Sequence, residues 1–169
     1  MPDLPTSVRV AQAVGIFGAL FSAATINKKT IGSSTGISRF VLPAIRQSPT
    51  PILLSQWKGT YNLGSITSPP LALLSSSAMA YVSYYFRSSA DGKLWALASA
   101  FAISIIPYTF IVVFPTNKFL EEWHSIEGQG VERKDVDDKI NEWAYKHSAR
   151  TCLTLAGGLL ALFTVLHGS

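Results

Sequence analysis

Four stretches of the chain carry no charged side chain, and they constrain the fold more than any other feature of the sequence. They are residues 10–27, 59–86, 94–117 and 151–169. Each has at least about the 17 to 25 residues that a helix needs to cross a bilayer. Because lipid offers the backbone no water partner, such segments form helices. The sequence therefore predicts four spans, at about 10–26, 66–86, 94–114 and 152–166, with the last helix starting near residue 135.

The composition favours the same class of protein. Only 14% of the residues are charged and 48% are hydrophobic, whereas soluble domains carry about 25% charged residues. One uncharged run could be the core helix of a soluble protein, or a secretory signal if it lies near the N-terminus. Four runs in 169 residues leave little surface for water. The predicted fold class is all-α: one integral membrane four-helix bundle, residues 1–169.

The basic residues predict the orientation of this bundle. Eleven of the fourteen lysines and arginines fall between the first and second spans or between the third and fourth. By the positive-inside rule both long loops are then cytosolic. We expect a multi-pass protein of the endoplasmic reticulum or another endomembrane. The basic residues form no dense block with interleaved aromatics, so no nucleic acid partner is expected.

The connection between the first two spans is long and mixed in character. Residues 37–61 mix apolar residues with polar and basic ones and are interrupted by prolines, which predicts short helices on the membrane surface that could cover a cavity. Pro69 and Pro70 are expected to open the second span, where missing amide donors cost little. Pro107 lies well inside the third span and is expected to kink it.

Metal and thiol chemistry find little support. Cys152 is the only cysteine, which excludes an intramolecular disulfide and a Cys-x-x-Cys redox pair. His124 stands three residues from Glu121 and from Glu127, a spacing that can bind metal. The segment is rich in charge and supplies no second histidine, so a solvated helix face is favoured. We predict no metal site.

The residues best suited to chemistry lie where the third span ends and the fourth helix begins. Trp143, His147 and Arg150 are spaced i, i+4 and i+7, so a helix presents them on one stripe. Asn117, at the end of the third span, could face this stripe. An alternative is interfacial anchoring, because such side chains are common at the headgroup level of membranes. Spacing alone leaves both interpretations open.

Four short motifs carry a family resemblance. They are Gln56-Trp57 with Tyr61, Pro107-Tyr108-Thr109, Pro115-Thr116-Asn117 with Leu120, and Trp143 with His147 and Arg150. With them the chain resembles, over nearly its whole length, the fungal anthrone oxygenases, a branch of a broad four-span membrane family. The resemblance implies oxidation of a tricyclic anthrone to an anthraquinone by molecular oxygen, without flavin, haem or metal. The sequence also contains no cofactor-binding fingerprint.

This resemblance suggests a role for each candidate residue. We expect His147 to take a proton from the substrate, and Arg150 and Asn117 to stabilise phenolate oxygens and a developing peroxide. Aromatic side chains would stack on the flat rings, and a hydroxyl beside Pro107 would hydrogen-bond the carbonyl. The aromatic candidates are Trp57, Tyr61 and Trp143, and the hydroxyl candidates are Tyr108 and Thr109.

The expected partners are an anthrone, molecular oxygen and the lipid bilayer, while other pathway enzymes and a second copy of the chain stay open. Two other functions compete with an oxygenase. A membrane scaffold that recruits pathway enzymes would need no cavity. A transporter of an aromatic metabolite is less favoured, because no carboxylate or arginine lies mid-span to mark an ion path.

Overall fold

The computed structural model describes residues 4–23 and 41–168, and within these ranges the regular secondary structure is entirely helical. This confirms the all-α prediction for the described part of the chain. The end of the first predicted span and loop residues 24–40 lie outside it. The elements are α1 (Thr6–Ala23), α2 (Leu42–Ile45), α3 (Thr50–Tyr85), α4 (Ala90–Tyr108), a π-helix (Thr109–Val113), α5 (Phe114–Ser125) and α6 (Arg133–His167).

Four of these helices form a closed antiparallel ring. Helix α1 packs on α3 and α6, and α4 packs on the same two helices from the other side. The Tyr81 hydroxyl donates to Ser7 Oγ (3.3 Å) across α3 and α1. The Ser99 hydroxyl donates to the Ser76 carbonyl oxygen (2.8 Å) across α4 and α3. The core of this ring consists largely of small side chains, Ala19, Ala98, Ala102 and Ala161, with Met79, Val82 and Trp95 between them.

A close contact between α6 and the backbone of α4 gives a stability prediction. A Cβ at Gly157 of α6 would lie 2.9 Å from the backbone oxygen of Ala98 in α4. Backbone cannot move aside cheaply, so we expect Gly157→Ala to cost about 1–3 kcal/mol. At Gly59 of α3 nothing lies within 4 Å of the added Cβ. There the same change should stabilise the helix by about 0.5–1 kcal/mol. Thermal unfolding in detergent, followed by circular dichroism, should show opposite shifts, and equal shifts would contradict this packing.

Helix α3 corrects the expected arrangement of the first loop and the second span. The sequence predicted short surface helices followed by a span at 66–86, but the structure shows one helix of 36 residues. Pro69 and Pro70 lie inside this helix rather than at its start, so that prediction was wrong. Proline has a helical φ and removes only its own N–H donor. Two such losses are tolerated because neighbouring helices hold both halves of α3 in place.

The third predicted span is also part of a longer helical stretch. Helix α4 ends at Tyr108, and a π-helix of five residues connects it to α5. The predicted kink at Pro107 stays a prediction, and what the structure shows is a widened helical turn that begins two residues after Pro107. Such π-helical turns are frequent at functional sites because they change the direction of side chains without ending the helix.

Two helical stretches among the described residues are long and apolar enough to cross a membrane, judged by length and composition. They are Ala90–Ser125, which joins α4, the π-helix and α5, and Arg133–His167, which is α6. The apolar helix at Thr6–Ser22 is shorter.

A second core lies below the ring, between α2, the first part of α3, α5 and the first part of α6. Its large side chains include Trp57, Leu120 and Trp143. Arg133, the first residue of α6, donates to the backbone oxygens of Ser48 (2.7 Å) and Arg46 (2.5 Å). These bonds fix the start of α6 against the turn before α3. The second core meets the core of the ring near residues 105–117 and 143–150.

Candidate active site

A cavity of about 210 Å³ opens where the two cores meet. It is enclosed by α3, the end of α4, the π-helix, the start of α5 and the middle of α6. Its wall consists of Thr60, Tyr61, Gly64, Ser65, Ser68, Pro69, Ile105, Ile106, Thr109, Phe110, Val113, Phe114, Asn117, Trp143, His147 and Arg150. Six of the eight site residues predicted from the sequence, Tyr61, Thr109, Asn117, Trp143, His147 and Arg150, therefore surround one space.

Local sequence explains why space remains at this point. Helix α3 presents the small residues Gly64, Ser65 and Ser68 to the cavity, followed by Pro69. On the facing side the π-helix, Thr109–Val113, widens the backbone. The small side chains of α3 lie opposite the widened turn of the π-helix. Together they leave a gap that the side chains of the two cores do not fill.

His147 is the most unusual group in the wall. Its side chain is 4% exposed and its ring stacks on Trp143, with centroids 4.8 Å apart and planes 14° from parallel. Within the described part of the chain, the buried Nε2 atom has no hydrogen-bond partner. A buried polar atom without a partner is costly. This nitrogen is therefore suited to a ligand or a water molecule in the cavity.

Asn117 is oriented by its neighbour. It is 2% exposed, and its Oδ1 accepts a hydrogen bond from Trp143 Nε1 at 2.9 Å. Because an indole N–H can only donate, this bond fixes which end of the amide is the oxygen. The amide nitrogen of this cavity residue, with its two N–H groups, is left as a donor.

A polar cluster fastens α5 to α6 beside Asn117. Buried Thr116 donates to Glu142 Oε1 (2.9 Å) and accepts from Lys146 Nζ (2.8 Å). Lys139 and Lys146 also bond the Glu142 carboxylate. Hydrogen bonds from Lys139 first, and then from Lys146, lower the pKa of Glu142 to about 2. Glu142 lies before the uncharged part of α6, which begins at residue 151. Thr116 belongs to the Pro115-Thr116-Asn117 motif, from which no role for it could be predicted, and the structure shows that it sets the register of α5 on α6.

Arg150 supplies a positive charge to the cavity. It lies one turn after His147 on the same face of α6 and lines the wall. The salt bridges between described residues join Lys58 to Glu121, Arg133 to Asp137, and both Lys139 and Lys146 to Glu142. None of them involves Arg150. Its guanidinium is therefore available to an anionic ligand.

The aromatic candidates form a stack of which only part reaches the cavity. Tyr61 lines the wall and stacks on Trp57, with centroids 5.4 Å apart. Trp57 is fully buried and meets Trp143 edge-on at 6.2 Å. Lys58 lies 4.9 Å from the Tyr61 ring centre and pairs with Glu121 of α5. Trp57 thus supports Tyr61 and Trp143 from behind and does not itself line the cavity, contrary to its predicted stacking on a ligand.

The two hydroxyl candidates beside Pro107 differ from expectation. Tyr108 does not line the cavity, and its hydroxyl donates to the Lys146 carbonyl oxygen at 3.3 Å. Thr109 lines the cavity, but its hydroxyl donates to the Ile105 carbonyl oxygen at 2.5 Å. A hydroxyl has one proton, so Thr109 can accept a hydrogen bond from a ligand and has none to give to a carbonyl.

On the α3 side of the wall the sequence indicated Tyr61 but not its small neighbours, because the second span was predicted to begin only at residue 66. Thr60, Gly64 and Ser68 are spaced i, i+4 and i+8, which would have indicated a small-residue helix face. Phe110 and Phe114 were also missed. They are 66% and 41% exposed and lie at the mouth of the cavity. No three histidine, cysteine, aspartate or glutamate side chains within residues 4–23 and 41–168 form a potential metal site.

The sequence is similar to those of known enzymes. The sequence profile of the anthrone oxygenase family matches residues 57–160, which include every candidate residue above. An anthrone oxygenase of Claviceps purpurea is 28% identical, over 97% of this chain and 91% of its own. Anthrone oxygenase nsrD of Aspergillus novofumigatus is 31% identical, over 76% of this chain and 82% of its own. Anthrone oxygenase encC of Aspergillus fumigatus is 28% identical, over 82% of this chain and 87% of its own. No solved structure matches the chain. The chain therefore belongs to the anthrone oxygenase family of enzymes.

Proposed function

We propose that this enzyme oxidises a tricyclic anthrone to an anthraquinone with molecular oxygen, in the biosynthesis of aromatic polyketide secondary metabolites. The observation that carries the proposal is a buried imidazole whose Nε2 has no hydrogen-bond partner among the described residues, next to a guanidinium that forms no salt bridge with any of them, in a largely apolar cavity. The names of the relatives support the substrate class.

The reaction balances without a further reductant. His147 Nε2 removes one proton from the methylene carbon of the central ring, which leaves an electron-rich anion. The anion gives one electron to O₂, and the two radicals join to form a C–O bond, which makes a peroxide at that carbon. The peroxide takes up a proton, the remaining C–H proton leaves, and the O–O bond breaks. The products are one quinone and one water molecule, with one oxygen atom in each.

The charges in the cavity suit this sequence of steps. Burial next to Arg150 favours a neutral imidazole, because a second cation would have neither water nor a counter-ion. Once the substrate is an anion, the guanidinium and the new imidazolium both stabilise it. Arg150 and the amide nitrogen of Asn117 then donate hydrogen bonds to the phenolate oxygens and to the peroxide. Tyr61 and Trp143 supply aromatic surface for the flat rings.

A membrane environment fits both the substrate and the exterior of the protein. Large apolar side chains that face outward occur on α1, α3, the π-helix and α6, for example Phe17, Ile66, Ile111 and Leu166. These four outward faces support a bundle in which α1 and α3 cross the bilayer together with α4 and α6. In this arrangement both long loops face the cytosol, and the membrane is that of the endoplasmic reticulum or another endomembrane. A planar polyphenol dissolves in the interface, where the cavity mouth at Phe110 opens.

The function is tested with purified protein in detergent and emodin anthrone as substrate. Oxygen consumption and quinone absorbance are followed together, with a metal chelator present and protein-free background subtracted. We expect one O₂ to be consumed per quinone formed, and the chelator to leave the rate unchanged. When the reaction is run under ¹⁸O₂, each quinone should contain one ¹⁸O atom. A rate equal to the background would remove the oxygenase assignment and favour a scaffold. Loss of activity with chelator, restored by a metal, would overturn the cofactor-independent mechanism alone.

A further inference from the structure

Three of the five hydroxyl side chains in the cavity wall share one property that the mechanism does not use. Thr60 Oγ1 donates to the Gln56 carbonyl oxygen (3.0 Å), Ser65 Oγ to that of Asn62 (2.8 Å), and Thr109 Oγ1 to that of Ile105 (2.5 Å). All three belong to α3 or the π-helix and line the cavity. Their single protons are bound within their own helices, so each offers the cavity only acceptor lone pairs.

The groups on α5 and α6 have the opposite character. Arg150 carries N–H donors and no acceptor, and Asn117 has already used its oxygen for the Trp143 indole. Apart from His147 Nε2, which takes the substrate proton, the polar groups of α5 and α6 in the wall are donors, whereas Thr60, Ser65 and Thr109 form an acceptor surface on α3 and the π-helix. A ligand that satisfies both sides has an acceptor oxygen at one edge and an O–H donor at another.

We infer that the enzyme holds its substrate by a free phenolic O–H that donates one hydrogen bond to this acceptor surface, to the hydroxyl of Thr60, Ser65 or Thr109. The inference rests on the proposed function and adds a specificity to it. In a hydroxylated anthrone the phenols next to the carbonyl are bonded internally to it. The phenol remote from the carbonyl is the one with a free proton, so it is the group that reaches this wall while the carbonyl or phenolate edge faces Arg150 and Asn117.

This arrangement discriminates against an ether at the remote position. A methoxy oxygen is an acceptor, so it cannot bond hydroxyls that offer only lone pairs, and its methyl group must displace a polar contact. Sites that hydrogen-bond a substrate hydroxyl reject analogues that lack it. Ser65 is partly open to the exterior, which moderates the effect. We expect kcat/KM for the remote methyl ether to be roughly tenfold lower, the equivalent of one lost hydrogen bond.

The test compares two wall variants with a matched control. Thr60→Val and Thr109→Val keep the shape of the side chain and remove the acceptor. Thr67→Val is the control, because Thr67 Oγ1 also donates within α3, to the Leu63 carbonyl oxygen (2.8 Å), but does not line the cavity. Each variant is assayed with emodin anthrone and with its remote methyl ether. Binding of the two corresponding quinones, measured by quenching of tryptophan fluorescence, gives a readout that needs no turnover.

The inference predicts that wild type and Thr67→Val prefer the free phenol in both turnover and binding. In Thr60→Val and Thr109→Val the preference should fall by about threefold or more, mainly through KM, and Thr109→Ser should restore it. A preference that survives in both wall variants overturns the inference and leaves the oxygenase function intact. Wild type that neither binds nor oxidises either compound overturns both. A valine variant that fails to fold is replaced by the alanine variant at the same position, with the same criterion.

Discussion

His147→Gln should lower kcat for anthrone oxidation by about two to four orders of magnitude, the usual range for loss of a general base. Glutamine keeps a planar polar group that can pack on Trp143, so the ring contact at 4.8 Å is replaced rather than emptied. It cannot take up a proton. Because the anthrone anion must form before oxygen reacts, the residual rate should approach that of the uncatalysed reaction. KM should change little, since the base contributes to the transition state more than to binding.

The control for this variant is a measurement that shows whether His147→Gln keeps the wild-type fold. Near-ultraviolet circular dichroism reports the environment of the tryptophans, and the spectrum of His147→Gln should match wild type. Quinone binding, measured by fluorescence quenching, should also persist. A well-folded His147→Gln enzyme with more than a third of the wild-type kcat would show that this imidazole is an interfacial anchor, as the alternative interpretation of the stripe requires.

Arg150→Gln is the second large effect, and we expect kcat to fall by about two to three orders of magnitude. The guanidinium is the cation on the cavity wall that no described carboxylate neutralises, and in the proposed mechanism it stabilises the oxygens on which charge develops. Arg150→Lys should recover part of the rate, because it keeps the charge but loses the forked donor geometry. Comparison of the Arg150→Gln and Arg150→Lys variants therefore separates the effect of the positive charge from the effect of the forked donor geometry.

Two results would contradict this role for Arg150. If Arg150→Lys were as slow as Arg150→Gln, the positive charge would not be what the reaction needs, and packing of the stem would explain the loss. If both variants kept wild-type kcat with a raised KM, Arg150 would bind substrate and transition state equally. Measurements of kcat and KM for both variants at saturating oxygen distinguish these cases.

Much of the helical architecture was readable from the uncharged runs, but the helix ends were not. Charge patterning shows where lipid or core surrounds a helix, and α3 continues past its uncharged part as far back as Thr50. Pro69 and Pro70 were misread because proline usually marks a helix start. Whether a helix tolerates an internal proline depends on the neighbours that hold its two halves, and a single sequence does not contain those contacts.

The site was readable where its residues share one helix. Trp143, His147 and Arg150 form a stripe by spacing alone, and all three line the cavity. The role of Thr116 depends on Glu142 and Lys146 across a helix interface. Trp57 lies behind Tyr61 and not beside it on the wall, because the Trp57 ring is packed into the second core. Contacts between helices decide these cases, and periodicity within one helix cannot reveal them.

The central claim is that the cavity first converts the anthrone to its anion by proton transfer to His147, and that oxygen reacts afterwards. Rapid anaerobic mixing of the purified enzyme with emodin anthrone tests this directly, because the anion absorbs at longer wavelength than the neutral anthrone. We predict that wild type forms the bound anion without oxygen and that admission of O₂ converts it to quinone, whereas His147→Gln forms no anion. A wild-type enzyme that produces quinone with O₂ but shows no anion in its absence would contradict the account.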